Sequence, residues 1–174
     1  MDDTTSSDER QATLRDGATI RVRQLGADDY DAVVLLTLSL TEHERYLRFF
    51  TAHPRFLDEW AHSVTEMSEP DRCTVGAFED DSLLGLATYV GTDHPTCAEA
   101  AVVIAHDQHD RGVGTILLHA LSERARHNGF HHLVGDVLAE NQAMSRLVAD
   151  AGWSARRDRH GAALTYDVDL DDLE

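Results

Sequence analysis

The chain has 174 residues, 42% of them apolar, with 32 acidic side chains against 15 basic ones and a formal charge of −17. That length suits one domain able to bury a core without disulfides, and the charge excludes a surface made to track nucleic acid or an anionic membrane. No run approaches the roughly 18 consecutive apolar residues of a membrane span, and the acidic start from Met1 to Glu9 is the opposite of a secretory signal, so the expected compartment is the cytoplasm.

In chain order, residues 1–16 are small, polar and acidic and read as a disordered tail, leaving 17–174 as a single domain. Thr19 to Leu25 alternates like a strand, and Asp28-Asp29 can open a helix running to about Leu40. A second helix is expected from Glu42 to Phe50. Pro54 interrupts, and Phe56 to Val64 resumes helical spacing with Phe56, Trp60 and Val64 on one side. After Pro70 the period becomes two: Cys73–Phe78 and Leu83–Val90 read as strands joined through Glu79-Asp80-Asp81-Ser82. Ala98–Ile104 is the next strand, followed by a helix with Ile116, Leu117, Ala120, Leu121 and Ala125 at helical spacing, ending at Gly129. Leu133–Leu138 is then a strand, Gln142–Ala151 a helix and Gly161–Leu170 a terminal strand. Strands and helices mixed in this order indicate a layered α/β sheet rather than a barrel or a bundle.

The most informative stretch runs from Glu99 to Arg126. There Ala100-Ala101-Val102-Val103-Ile104 breaks into Asp107-Gln108-His109-Asp110-Arg111-Gly112-Val113-Gly114-Thr115 and then into the amphipathic helix. A helix that begins at such a turn presents unpaired N–H groups and the positive end of its dipole, for which phosphate is the natural guest. Gly112 and Gly114 lack a Cβ, so the backbone can take unusual φ and let a ligand approach. Other phosphate motifs are excluded. The chain has no lysine, which rules out a Walker-type loop, and Leu117 stands where the dinucleotide fingerprint needs its third glycine. A lone glycine turn also leaves open ordinary strand-to-helix punctuation.

Together with their neighbours these residues resemble the GNAT superfamily of acyl-CoA-dependent N-acyltransferases. The signature there is Gln or Arg, two residues, Gly, one residue, then Gly or Ala. Arg111-Gly112-Val113-Gly114 fits, His109 stands at the leading position, and Gln108 lies one place early. The likeness continues through Ala125-Arg126-His127-Asn128-Gly129 and Asp136 to Met144, closes at Ala151-Gly152-Trp153, and covers about residues 18–170. Within the superfamily, Glu99-Ala100-Ala101-Val102-Val103, the segment Glu44 to Phe50 with its closing Arg-Phe-Phe, and Asp71-Arg72 before a strand are similar to the bacterial protein lysine acetyltransferases.

The resemblance implies a mixed, mostly antiparallel central sheet of six to seven strands flanked by helices, with acetyl-CoA as cosubstrate and no metal. It implies that His109, Asp110, Arg111, Gly112, Val113, Gly114 and Thr115 cradle the pyrophosphate, that Ala101, Val102 and Val103 pair their backbone with the pantetheine, and that Asn141 makes a further coenzyme contact. It makes Glu99 the general base. Many GNAT enzymes carry a tyrosine seven residues after the asparagine as general acid; that place is Val148 here, and Tyr89, Tyr166 and Ser145 are the alternatives by type.

Moving an acyl group from a thioester to an amine requires a deprotonated nucleophile, and a carboxylate can take the proton directly or through water. Strand period puts Glu99 on one face with Ala101 and Val103, at the start of the strand that feeds the glycine turn. On spacing alone it reads equally as a solvated strand-end glutamate. Arg45 and Arg48 share a helical face that either lines an acceptor groove or meets solvent. Cys97 has no histidine base fixed beside it, and the eleven histidines form no metal-ligand pattern. The expected activity is direct transfer from acetyl-CoA to a primary amine in a ternary complex, with a protein lysine as first choice. The other readings are acetylation of a small amine such as a polyamine, amino sugar or antibiotic, and a non-catalytic acyl-CoA-binding regulatory domain.

Overall fold

Short turns and two-residue periodicity bring neighbouring strands together as hairpins, and one fork breaks that pattern. A computed structural model describes residues 9–50, 57–66 and 69–173. The strands are β1 (Arg10–Thr13), β2 (Thr19–Gln24), β3 (Arg72–Glu79), β4 (Ser82–Gly91), β5 (Cys97–Ile104), β6 (His132–Leu138), β7 (Ala155–His160) and β8 (Ala163–Asp169). The helices are α1 (Tyr30–Ser39), α2 (Glu42–Phe49), α3 (Leu57–Thr65), α4 (Val113–His127) and α5 (Gln142–Asp150). The expected helix start at Phe56 and the break at Pro54 lie outside the described residues.

All strands join one sheet in the order β1-β2-β3-β4-β5-β6-β8-β7, antiparallel throughout except for the parallel pair β5 and β6. β3 and β4 are buried over most of their length, which requires a helix layer on each face. On one face α4 packs Leu117, Leu121 and Ala125 against Ile20, Val75 and Tyr89. On the other, Val33 and Leu36 of α1 and Val64 of α3 meet Phe78 and Leu86. A bulge adjusts the register between β3 and β4: Ala77 pairs with Gly85 and Phe78 with Leu83, leaving Leu84 over. The extra residue shifts side chains across the sheet, so Leu84 joins the α4 face while Leu83 and Leu86 join the other.

The sheet holds two strands beyond those read from the sequence, and both are edges. β7 carries Arg156, Arg157, Asp158, Arg159 and His160, all exposed, and among the described residues pairs only with β8. Charged edges suppress pairing with another chain, and they also remove the apolar alternation that identifies a strand. Within the described part of residues 1–16, β1 departs from the expected tail from Arg10 onwards. Arg10 to Thr13 pair with Val22 to Thr19, Leu14 is 3% exposed, and Gly17 at φ 87 closes the hairpin. A buried leucine anchors this segment, so Leu14→Ala should destabilise the fold by about 2–3 kcal/mol. Denaturant unfolding checks this, and an unchanged midpoint would mean the hairpin contributes nothing.

Candidate active site

β5 pairs with β4 from Gly91↔Ala98 to Gly85↔Ile104, but with β6 only at Cys97↔His132, Ala98↔Leu133 and Glu99↔Val134. Beyond Glu99 the parallel strands part, and the β6-facing edge of Ala100 to Ile104 has no strand partner among the described residues. Gly135 stands at the fork, where a Cβ would lie 3.1 Å from the Ala100 carbonyl oxygen. The gap opens into a cavity of about 710 Å³, walled by β5 and β6 and bounded by α2, α5 and the first turn of α4. A strand edge with open N–H and C=O groups is a template for an extended ligand that carries amides of its own. Ala101, Val102 and Val103 lie on this edge and line the cavity.

At one end of the cavity the chain turns twice through left-handed conformations, at Asp110 (φ 66) and Gly112 (φ 92), before entering α4. Val113, Gly114 and Thr115 line the cavity as the first helical residues, whose N–H groups have no acceptor within the helix. Their amides and the helix dipole suit a diphosphate. Gly112 is a conformational requirement. Gly114 also answers to packing: a Cβ there would sit 2.8 Å from Leu147 Cδ1 of α5, so its smallness lets the two helices close.

Arg111 belongs to this turn through its backbone, while its guanidinium ties the turn down from outside. Arg111 Nε donates to Asp16 at 2.7 Å, Nη2 to Glu79 at 2.9 Å and Nη1 to the Gln108 side chain. The Arg15 N–H donates to the Arg111 carbonyl at 3.0 Å, so the β1–β2 hairpin buttresses the cradle. The hydrogen bond from Arg111, with that from the Ala18 N–H, holds the Asp16 carboxyl below its usual range. Since the clamp orders amides that would otherwise sample other directions, Arg111→Ala is expected to weaken coenzyme A binding about tenfold in calorimetry without unfolding the chain. Unaltered affinity would show that the turn holds itself.

α2 forms the opposite wall. Thr41 and Glu44 cap it reciprocally: the Glu44 N–H donates to Thr41 Oγ1 at 3.1 Å and the Thr41 N–H to Glu44 Oε2 at 2.9 Å. Glu44 also meets His106 Nδ1 at 2.7 Å and His109 Nε2 at 3.6 Å, which fastens the helix to the cradle end. Burial pushes the Glu44 carboxyl up, but the hydrogen bonds from His106 and the Thr41 N–H outweigh it and hold it below its usual 4.5. The same contact holds His106 above its usual 6.5. The pair therefore stabilises fully between 4.5 and 6.5, weakening as acid protonates Glu44 and, on the other side, as His106 loses its proton through its raised pKa. In Glu44→Gln the His106 titration followed by NMR should fall back towards 6.5; an unmoved curve would contradict the pairing.

Glu99 occupies the last paired position before the fork, is exposed, and lines the cavity with Arg48 of α2. Of the two arginines left open by spacing, Arg45 turns to the Leu40 carbonyl at 3.0 Å and Arg48 faces the cavity. Asn141 caps α5, its Oδ1 accepting from the Met144 N–H at 3.1 Å, and lines the cavity as well. Val148 lines it where the resemblance would place a tyrosine. Tyr89 is buried on the α4 face with its hydroxyl on Pro70 O and Asn128, whereas Tyr166 borders the cavity and shares a 2.8 Å hydrogen bond with Ser145. Cys73 is buried in the core, and that burial pushes its thiol far up.

A forked parallel strand pair, a helix end with open amides and a carboxylate at the fork give this α/β protein a cleft whose open strand edge suits an extended ligand. The pattern of the acetyltransferase (GNAT) family matches residues 37–153, and the chain belongs to that family. It is 28% identical over 152 residues to the acetyltransferase PA5475 of Pseudomonas aeruginosa, covering 84% of this chain and 81% of that one. The fold is similar to the GNAT domain of PAT from S. lividans, with a TM-score of 0.85 and 27% identity over 92% of this chain and 96% of that one. It is also similar to YncA of Salmonella typhimurium, solved with its cofactor acetyl-CoA, at a TM-score of 0.66 and 16% identity over 88% and 95% of the two chains.

Proposed function

We propose that this protein transfers an acetyl group from acetyl-CoA to a primary amine, a lysine of another protein in the first place, with Glu99 as the base. The observation that carries this reading is the position of the fork: the strands separate immediately after Glu99, and the cavity runs from there to the α4 amides. Amides of Val113, Gly114 and Thr115 hold the pyrophosphate, with His109, Asp110, Arg111 and Gly112 shaping the turn, and the open edge at Ala101 to Val103 pairs with the pantetheine. Asn141 borders the same path. This lays the thioester beside Glu99, whose carboxylate takes the proton of the attacking amine directly or through one water. The nitrogen bonds to the carbonyl carbon, the carbon–sulfur bond breaks and its electron pair leaves on sulfur. A thiol of ordinary pKa, about 8.5, is a tolerable leaving group, so Val148 in place of a tyrosine does not block the step. A lysine acceptor is supported by the resemblance of the segments Glu99 to Val103 and Glu44 to Phe50, and of Asp71-Arg72, to the bacterial protein lysine acetyltransferases.

The reading is tested by intact-mass analysis after incubation with acetyl-CoA and acceptor proteins in parallel with polyamines, amino sugars and aminoglycosides. An added acetyl mass on lysines of a protein is expected. Labelling confined to the small amines would reject the lysine acceptor, and no transfer to anything would favour a coenzyme-binding regulator.

A further inference from the structure

Arg48 is a cation without an ion-pair partner among the described residues of a strongly acidic molecule. Its guanidinium carbon lies 4.8 Å from the Phe49 ring centroid and 5.7 Å from that of Trp60, and its Nε is buried with no hydrogen-bond partner among the described residues. The chain has 32 carboxylate side chains, yet none among the described residues closes an ion pair with this one. Glu99 attracts it across the cavity without such a contact. Glu44, one turn earlier in α2, is engaged by His106 and His109 at the cradle end.

A guanidinium withdrawn from water and left unpaired is costly, and the two aromatic rings recover only part of that cost. Desolvation accordingly lowers the proton affinity of Arg48, opposed only by the field of Glu99. Arg48 lines the same cavity as Glu99, and the ligand a guanidinium binds best is a carboxylate, which it can engage through two parallel N–H donors.

We infer that Arg48 is a carboxylate-binding subsite at the acyl-transfer end of the cleft, filled either by an acidic residue flanking the acceptor lysine or by the free carboxylate of a dicarboxylic acyl group. The inference rests on the lysine acyltransferase reading above. The transfer step itself is unchanged, and Arg48 acts by holding one substrate through a group remote from the reacting bonds.

The test compares the wild type, Arg48→Met and Arg48→Lys in two arms. In the first, acetyl-CoA is the donor and two lysine peptides differ only by Glu or Gln beside the lysine. In the second, the Gln peptide is the acceptor and succinyl-CoA is compared with butyryl-CoA. In one arm the wild type should favour the carboxylate-bearing substrate at least about tenfold in kcat/KM, and that arm identifies the source. Arg48→Met should erase the preference with coenzyme A affinity retained in calorimetry. Arg48→Lys keeps the charge without the planar fork and should preserve part of the preference, which decides the matter should the Met variant fail to fold. Indifference of the wild type in both arms, or a preference that survives in Arg48→Met, would overturn the subsite and leave the acyltransferase reading standing. Failure of every peptide with every donor, in a wild type that binds coenzyme A, would overturn the lysine reading and the subsite with it.

Discussion

Glu99→Gln should lower kcat/KM for acetyl transfer by about 10²–10⁴-fold, the usual contribution of a positioned general base, while acetyl-CoA binds as before. Glutamine keeps the shape and the β5 register, so the opening of the fork after residue 99 is preserved and only the proton acceptor is lost. The carboxylate on the α2 wall, Glu44, is held by His106 at 2.7 Å and caps its own helix, so it cannot substitute without dismantling both contacts. Steady-state rates with calorimetry of acetyl-CoA binding give the check. A variant that transfers at the wild-type rate would show that solvent, not Glu99, removes the proton.

Gly112→Val should have the second largest effect, and on binding rather than on chemistry. Gly112 holds φ 92 at the entrance of α4, and a β-branched residue there costs on the order of 1–3 kcal/mol or forces the turn to another conformation. Either way the amides of Val113 to Thr115 lose their common direction, and coenzyme A affinity should fall by at least about tenfold. Gly129→Ala is the control: it has a similar φ of 89 and open space around the added Cβ, but it lies after the far end of α4. That variant should lose stability and keep its affinity. Equal loss of affinity in both would mean that general destabilisation, not the cradle, is being measured.

The glycine turn, the strand before it and the carboxylate at its head were legible because each depends on local chemistry: a left-handed position, an apolar run, a helix start. The fork itself was not, since it arises where β6 stops pairing with β5, a contact between residues some 35 positions apart such as Glu99 and Val134. The clamp on Arg111 escaped notice for a similar reason, as it joins Asp16 and Glu79 across the fold. The hairpin that supplies Asp16 did leave a signal, Asp16-Gly17 between Leu14 and the alternation of β2, but the acidity of the first residues masked it. β7 left none, because its four exposed charged residues and His160 satisfy an edge by chemistry indistinguishable from a loop. For Arg45 and Arg48, helical spacing placed both on one side, and only the position of α2 at the cavity separates the one bound to the Leu40 carbonyl from the one facing the cavity.

Calorimetric titration with coenzyme A beside pantetheine, which has the same amide arm and thiol but no pyrophosphate, most directly tests whether helix-end amides hold the cosubstrate next to Glu99. Coenzyme A should bind with an affinity that Gly112→Val and Arg111→Ala reduce, and pantetheine should bind far more weakly and be indifferent to both substitutions. Equal affinity for the two ligands, or no heat with either, would contradict a diphosphate grip at the start of α4.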